Sequence, residues 1–350
     1  MLPAHAVLDG FFKLARGWIP AAVEGPGALV PHEVWTAALR RLADDLLGPD
    51  GMPPPDALTP DQAETRALLL AMSAAASPPR TWDQTLVCVV GCGRSGTTWL
   101  ERLLMSASAT GGVDGVESRL FAVAHPLWTH LPAMAPLVDR EQLVRGLRAF
   151  FGTVLAESLA LHSPGASVFV EKTPRHSVQL PAIATVFPDV RVVHVVRDGR
   201  DVARSMSEVE FFGVPDPADA LRIWNRVLRD VRGAAPDLAH FREVRYEALL
   251  TDPVGEATAL LHWIGVPVDS GVEAELRCRT ARRVSTHAGT THAVGAESWR
   301  TLSRSSVARL YGEASATLRR EGYATAGEVR RAALHPSYWS RALARRRATF

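Results

Sequence analysis

The stretch "VVGCGRSGTTWL", residues 89–100, follows a β-branched run and leads into a segment with helical periodicity. Gly91 and Gly96 have the spacing of a phosphate-binding loop, in which the second glycine is followed by lysine and then by serine or threonine. Thr98 occupies the last of these positions, but Thr97 replaces the lysine. Because that lysine reaches the β- and γ-phosphates of a nucleoside triphosphate, the loop is predicted to bind a smaller anion.

Arg94 lies inside this loop and changes its expected ligand. A planar guanidinium can bind two oxygens of one anion by parallel hydrogen bonds. Backbone N–H groups of a glycine-rich loop that enters a helix add further donors at the positive end of the helix dipole. Together these groups suit one phosphate joined to one further oxyanion.

Apolar runs rich in β-branched residues alternate with helical periodicity from residue 85 onward. The predicted strands are residues 85–90, 167–172, 190–197 and 241–249, and helices are predicted at 217–232, 253–264, 270–283 and 303–321. Alternating strands and helices imply right-handed crossovers and a parallel sheet covered on both faces. The predicted fold class is therefore α/β, with a central parallel sheet flanked by helices in three layers. Ligands of such sheets bind at the carboxyl ends of the strands.

The two ends of the chain differ from this α/β region. Residues 1–80 have helical spacing with proline-rich breaks, and we interpret them as a helical N-terminal extension or cap. Residues 81–328 form the predicted α/β domain. Residues 329–350 carry six arginines and no acidic residue, a pattern typical of a solvated, basic C-terminal tail.

The composition is that of a globular protein, with 47% hydrophobic and 22% charged residues. A net charge of +2, from 39 cationic and 37 anionic side chains, creates no overall field for a nucleic-acid partner. The three cysteines lack the spacing of a disulfide framework or a zinc site. No segment is long and apolar enough to span a bilayer. We therefore expect a cytoplasmic protein without metal, nucleic-acid or membrane partners.

Arg197 and Ser205 are separated by eight residues at the end of the third predicted strand. A helix that begins near Gly199 would carry Ser205 two turns along, so that both side chains could bind one phosphate above the strand end. The alternative is that Arg197 forms a surface ion pair with Asp198 or Asp201.

Lys172 ends the second predicted strand, in "FVEKTPRHS". The chain contains only one other lysine, Lys13, and its remaining cationic residues are arginines. Pro174 restricts Thr173 to extended conformations, so the lysine is held at a turn. A lone ammonium in this position is interpreted as a point-charge donor to a ligand.

These stretches together resemble the sulfotransferases that use 3′-phosphoadenosine 5′-phosphosulfate (PAPS) as donor. In that family a loop of the form "RSGTT" binds the 5′-phosphosulfate, and an arginine with a serine eight residues later binds the 3′-phosphate. The likeness spans about Thr85 to Val266 and includes the "REVRYEALLTDP" segment. It implies a P-loop-type fold and a donor site made of Gly93, Arg94, Ser95, Gly96, Thr97, Thr98, Trp99, Arg197, Ser205 and Tyr246.

The resemblance also implies a general base. Tyrosylprotein sulfotransferases and many bacterial relatives use a glutamate about twenty residues after the loop arginine, and Glu117 follows Arg94 by 23 residues. The implied catalytic residues are Glu117, Lys172 and Arg94. His125 is the rival base. The implied acceptor is a hydroxyl, or in second place an amine, of a small molecule.

Aromatic and apolar residues near Glu117 are candidates for the acceptor pocket, although such residues more often belong to a core. They are Phe121, Leu127 and Trp128. Trp299 is a candidate for closing the donor site. The sequence and the resemblance together imply a bacterial enzyme of secondary metabolism that requires no metal. We also consider a homodimer.

Two other functions are compatible with a phosphate-binding loop. A nucleotide kinase or NTPase would need a loop lysine and a carboxylate for magnesium, for which Asp198 is the candidate. A non-catalytic nucleotide sensor would keep the phosphate-binding residues without Glu117 and Lys172. The presence of both residues favours an enzyme.

Overall fold

The computed structural model describes residues 81–122, 140–281, 285–287, 290–292 and 296–347, and also Val34, Ala38 and Arg41, which are helical. The strands are β1 (Thr85–Gly91), β2 (Thr110–Gly111), β3 (Val168–Lys172), β4 (Arg191–Val196), β5 (His240–Arg245), β6 (Ser285–His287) and β7 (Thr290–His292). The α-helices are α1 (Thr97–Leu104), α2 (Arg140–His162), α3 (Leu180–Val186), α4 (Gly199–Ser207), α5 (Pro217–Ala234), α6 (Tyr246–Thr251), α7 (Pro253–Ile264), α8 (Ser270–Ala281), α9 (Arg304–Arg320), α10 (Ala326–Ala333) and α11 (Pro336–Arg347).

Five strands form a parallel sheet in the order β2–β3–β1–β4–β5, flanked by helices. Strand β1, which leads into the glycine loop, is the middle strand, and every residue after Thr85 in it is buried. Strand β2 pairs with β3, with Thr110 opposite Val168. The predicted α/β class is confirmed. Strand β2 was not predicted, because two residues are too short to produce a periodic pattern.

The predicted elements of the C-terminal half match the structure to within a few residues. Helix α5 begins at Pro217. The preceding residue, Asp216, is its N-cap, and the Asp216 side chain accepts a hydrogen bond from the backbone N–H of Ala218. Such an N-cap satisfies one of the free amides of the first turn. The fourth predicted strand is shorter than expected: β5 ends at Arg245, and Tyr246 begins α6. None of the described helices is long and apolar enough to cross a membrane.

The chain divides into two compact units. The first contains the described residues up to Cys88, together with Ala107–Arg191 and Leu238–His240. Its core includes an aromatic cluster in which the ring of Phe121 lies 5.1 Å from Phe151 and 5.9 Å from Phe187, both edge to face. Edge-to-face pairs of this kind stabilise a core beyond the area that they bury.

The second unit contains Val89–Ser106, Val192–Asp237 and the described residues from Phe241 onward. Its core joins the base of the glycine loop to helices α4, α5 and α9. The buried members include Cys92, Val202, Leu221, Trp224 and Leu310. The glycine loop of this unit is therefore attached to a packed apolar core.

The basic C-terminal segment is not a solvated end. It forms helices α10 and α11, and Tyr338 packs against the core of the second unit. Arg341 is 9% exposed, and its guanidinium donates to Glu313 and Asp219 at 2.6 Å each. A count of charges along the sequence could not indicate these partners, which lie 28 and 122 residues away.

The predicted helical N-terminal extension, residues 1–80, lies outside the described residues, except for the three helical positions named above. The candidate residues His125, Leu127 and Trp128 also lie outside them.

Candidate active site

Two glycines give the loop between β1 and α1 its shape. Gly91 has φ 150°, and a Cβ there would lie 2.6 Å from the carbonyl oxygen of Val195. Gly96 has φ 96°, and its Cβ would lie 2.5 Å from the ring of Tyr246. Only glycine fits a left-handed conformation against an aromatic ring at this distance. The two glycines therefore let the loop backbone pass close to neighbouring groups, as its sequence predicted.

Helix α1 begins directly after Gly96, which provides no side-chain cap. Its first turn contains no acidic residue that could neutralise the positive end of the helix dipole. Thr97 is 4% exposed. Ser95 is 1% exposed, and its hydroxyl has no hydrogen-bond partner among the residues that the structure describes. A buried, unsatisfied hydroxyl beside a helix N-terminus fits an oxyanion ligand.

Arg94 brings the predicted donor residues together. Its Nε donates to Ser205 Oγ at 3.0 Å, and its carbonyl oxygen accepts from Arg197 Nη1 at 3.0 Å. Arg94 adopts φ 74°, a left-handed conformation that is uncommon for a residue with a side chain. Burial and the neighbouring Arg197 lower the pKa of Arg94. Two guanidinium groups held side by side indicate a site for an anion.

Tyr246 supports the same cluster. The Arg197 guanidinium lies 4.4 Å from the centre of the Tyr246 ring, and the Trp99 ring meets Tyr246 edge to face at 5.9 Å. A cation over an aromatic face is stabilised by the quadrupole of the ring. Gly93 completes the loop, and a Cβ on it would lie 3.1 Å from the ring of Phe212.

The carboxylates that could have paired with Arg197 have other functions. Asp198 caps α4 and binds the guanidinium of Arg200, with Arg200 Nη2 at 2.7 Å from its Oδ2. Burial raises the pKa of Asp198 despite the hydrogen bonds from Arg200. Asp201 accepts from the backbone N–H of Glu297 at 2.8 Å and of Trp299 at 2.9 Å. These contacts leave the interpretation of Arg197 as a phosphate ligand in place.

Trp299 is 5% exposed, and the Arg200 guanidinium stacks 3.9 Å from its ring centre. The segment that carries Trp299 is attached to the first turn of α4 by Asp201. Closure of the donor site by Trp299 stays a prediction.

Lys172, in the first unit, is a buried cation. It ends β3 and is 1% exposed. Its Nζ lies 3.9 Å from Glu117 Oε1, and it has no hydrogen-bond acceptor among the described residues. Because an ammonium removed from water is costly unless it is hydrogen-bonded, this arrangement fits an anionic ligand at Nζ.

Glu117 is accessible, with 32% of its side chain exposed. It is the member of the candidate pair that an acceptor could reach from solvent. Phe121, a candidate for the acceptor pocket, is instead part of the core, because it is 1% exposed and lies between Phe151 and Phe187.

The sequence did not identify Glu171, which precedes Lys172. Its carboxylate is 2% exposed and accepts hydrogen bonds from Ser118 Oγ and Thr173 Oγ1 at 2.6 Å each. Its other oxygen lies 2.9 Å from His176 Nδ1. Burial alone would raise the pKa of Glu171, but His176 and the two hydroxyls hold that pKa below its usual range. The available signal was an acidic residue inside the buried run "VFVEK".

Two buried histidines contact carboxylates. His176 binds Glu171, and His194 Nδ1 lies 3.2 Å from Glu243 Oε2. Across the described parts of the chain, no group of three or more His, Cys, Asp and Glu side chains could hold a metal ion.

Residues 87–270, more than half of the chain, match the model of the Sulfotransferase family. The chain belongs to this family. It is 26% identical to Protein-tyrosine sulfotransferase 1 of Danio rerio over 202 residues, which cover 54% of this chain and 56% of the relative. It is 28% identical to a putative protein-tyrosine sulfotransferase of Caenorhabditis elegans over 120 residues, covering 32% of this chain and 46% of the relative.

The chain therefore spans about half the length of the curated relatives that it matches. Among solved structures, it is similar to the sulfotransferase domain of the Synechococcus PCC 7002 olefin synthase. That match has a TM-score of 0.44 and 16% identity, and it covers 65% of this chain and 91% of the domain.

Proposed function

We propose that this sulfotransferase moves a sulfuryl group from PAPS to a hydroxyl, or in second place an amine, of a small-molecule acceptor. The observation that carries the proposal is the contact of Arg94 with both Ser205 and Arg197 beside a glycine loop that lacks the triphosphate lysine. This cluster offers a concentrated positive charge for the two anionic ends of a 3′-phosphorylated nucleotide.

In the proposed donor site, Arg197 and Ser205 hold the 3′-phosphate, and Tyr246 and Trp99 support them. The loop N–H groups with Arg94 bind the 5′-phosphosulfate, together with Gly93, Ser95, Gly96, Thr97 and Thr98. The unsatisfied hydroxyl of Ser95 supports this assignment. Thr97 in place of lysine is consistent with a donor that has no γ-phosphate.

In the proposed reaction, Glu117 accepts the proton of the acceptor hydroxyl as its oxygen attacks sulfur. An oxygen–sulfur bond forms, and the bond from sulfur to the bridging oxygen of the 5′-phosphate breaks. The electron pair of that bond leaves with 3′-phosphoadenosine 5′-phosphate (PAP). Lys172 and Arg94 oppose the charge that develops on the leaving phosphate, which is the usual role of preorganised cations in group transfer.

The kinase alternative lacks its essential groups. Thr97 stands in place of the lysine, and Asp198, the candidate magnesium ligand, is bound by Arg200 at 2.7 Å. The sensor alternative is disfavoured by the accessible carboxylate of Glu117, 3.9 Å from Lys172 Nζ, because anion binding alone does not require a candidate base at that place.

We also propose a cytoplasmic location. All three cysteines are free thiols, and two of them are buried. Free thiols are typical of proteins from reducing compartments.

The donor assignment is tested by thermal shift with PAP, AMP, and ATP with or without magnesium. PAP should stabilise the protein more than AMP, because only PAP carries the 3′-phosphate. Arg197→Ala should weaken PAP binding on the order of tenfold to a hundredfold, the effect of losing a hydrogen bond to a charged group. AMP binding should change little. Arg229→Ala, on the exposed face of α5, is the matched control.

Equal stabilisation by PAP and AMP in the unmutated protein would remove the basis of the donor assignment. Stabilisation by ATP only with magnesium would support the kinase alternative instead.

A further inference from the structure

Three of the four residues that follow Glu117 are tied to a single buried segment, residues 171–176. The Ser118 hydroxyl donates to Glu171 at 2.6 Å and accepts from the backbone N–H of Leu120 at 3.1 Å. The backbone N–H of Arg119 donates to Thr173 Oγ1 at 3.2 Å. These contacts connect the chain beside Glu117 to the residues on either side of Lys172.

His176 makes the third connection. The backbone N–H of Phe121 can only donate, so His176 Nε2, at 3.3 Å, must accept. His176 Nδ1 then carries the proton and donates it to Glu171 at 2.9 Å. The hydrogen-bond pattern therefore assigns a neutral imidazole with its proton on Nδ1.

The segment that these bonds hold is not in a relaxed conformation. Arg119 has φ 50°, in the left-handed region that residues with a side chain rarely adopt. Such conformations persist only where surrounding contacts determine them. Here the contacts start from Glu171, which has both oxygens engaged and is almost fully buried.

We propose that Glu171 and His176 are positioning residues, which fix the backbone after Glu117 and thereby set its carboxylate relative to Lys172. This inference rests on the proposed function, in which Glu117 and Lys172 act in the same reaction. In this proposal Glu171 and His176 act through Glu117 and not on the substrate. Because a base displaced by about 1 Å can lose on the order of a hundredfold in rate, a rigid attachment of this segment has a direct effect on turnover.

The alternative is that the network only supports the aromatic core. The His176 ring lies 5.1 Å from Phe121, which packs on Phe151. A purely structural role would lower stability while each folded molecule kept its turnover. The two roles therefore differ in a measurable way.

Two amide substitutions separate the connections that His176 makes. In His176→Asn, the side-chain amide replaces Nδ1, so the bond to Glu171 is kept and the Phe121 N–H loses its acceptor. In His176→Gln, the longer amide places an oxygen where Nε2 was, so Phe121 keeps its acceptor. We expect kcat to fall by tenfold or more in His176→Asn and by less than about threefold in His176→Gln.

Three further measurements distinguish positioning of Glu117 from a purely structural role. Stabilisation by PAP should be unchanged in both variants. The loss in His176→Asn should shrink for nitrophenol relative to phenol as acceptor, because an ionised acceptor needs less help from a base. In a Glu117→Gln background, His176→Asn should cause no further loss of kcat, since residues that act through one another are not additive.

Amide hydrogen exchange tests the positioning independently of activity. A peptide covering residues 117–122 should exchange about tenfold faster in His176→Asn than in His176→Gln, because one connection is lost. Equal exchange in the two variants, or a full additional loss of kcat in the Glu117→Gln background, would overturn the inference. Failure of the proposed function has a different signature, namely that the unmutated protein transfers no sulfuryl group from PAPS.

Discussion

At the scale of single residues, Lys172 is the most informative side chain. The chain uses arginine for almost every cation, yet it buries one of its two lysines completely. An ammonium is a compact point charge that concentrates its field on one oxygen, whereas a guanidinium spreads its field over a plane. A lysine at this position therefore suits charge that appears on a single atom during a reaction, such as the bridging oxygen of a leaving phosphate.

Glu117→Gln tests the base. The substitution keeps the shape of the side chain and removes its ability to accept a proton. Turnover should fall on the order of a hundredfold to ten-thousandfold, the usual contribution of a positioned base, while thermal shift with PAP stays near that of the unmutated protein. His125→Ala is the control. If His125→Ala loses turnover and Glu117→Gln does not, the base is His125.

The sequence could predict residues whose partners follow from chain geometry. Arg197 at a strand end and Ser205 two helical turns later share one face, and the structure brings both to Arg94. It could not predict the contact of Glu171 with Ser118, because Ser118 lies 53 residues earlier and no periodicity indicates such a contact. Phe121 illustrates the opposite error, since an aromatic residue near a candidate base belongs to the core.

At the scale of elements, helix α11 shows how packing changes the meaning of a charge run. Arg341 lies in a segment with no acidic residue, but Glu313 of α9, which is 1% exposed, accepts from it at 2.6 Å. Helices α5, α7, α8 and α9 were predicted closely from their apolar spacing, whereas the residues that begin α6 were predicted as the end of a strand. The C-terminal helices were not, because their arginine content hides the few residues, such as Tyr338, that attach them to the core.

Arg341→Ala should destabilise the protein through α11. Removing the guanidinium takes away the hydrogen bond that Arg341 donates to the buried Glu313 at 2.6 Å, whereas Arg222, which lies 3.4 Å from Glu313, is half exposed. Loss of one member of a buried pair costs about 3 kcal/mol, so the melting temperature should fall by several degrees. Differential scanning calorimetry measures the change, with the exposed Arg330→Ala as the matched control. Equal melting temperatures for the two variants would show that α11 contributes little to stability.

At the scale of the whole molecule, composition predicted the broad class, and local motifs predicted the chemistry. A net charge of +2 gave no indication of an anion site, because the cations that matter are few and are concentrated near the glycine loop and at the end of β3. The fold class was predictable because alternating strands and helices have few compact arrangements. The division into two units, each built from separated segments, has no signal in local composition.

The burial of the cysteines has a consequence for chemical labelling. Cys278, on α8, is exposed, whereas Cys88 and Cys92 are buried, and burial raises the pKa of the Cys92 thiol to about 12. Thiol reagents attack the thiolate, so native protein should react quickly with one equivalent of reagent and unfolded protein with three. Counting the labelled thiols by mass spectrometry tests this, and Cys278→Ser should abolish the fast phase. Rapid modification of all three thiols in native protein would contradict the structure.

Because Cys92 lies at the base of the glycine loop, the rate of its slow alkylation reports how often that loop opens. A nucleotide that binds there should lower this alkylation rate, so donor analogues can be ranked before any acceptor has been identified.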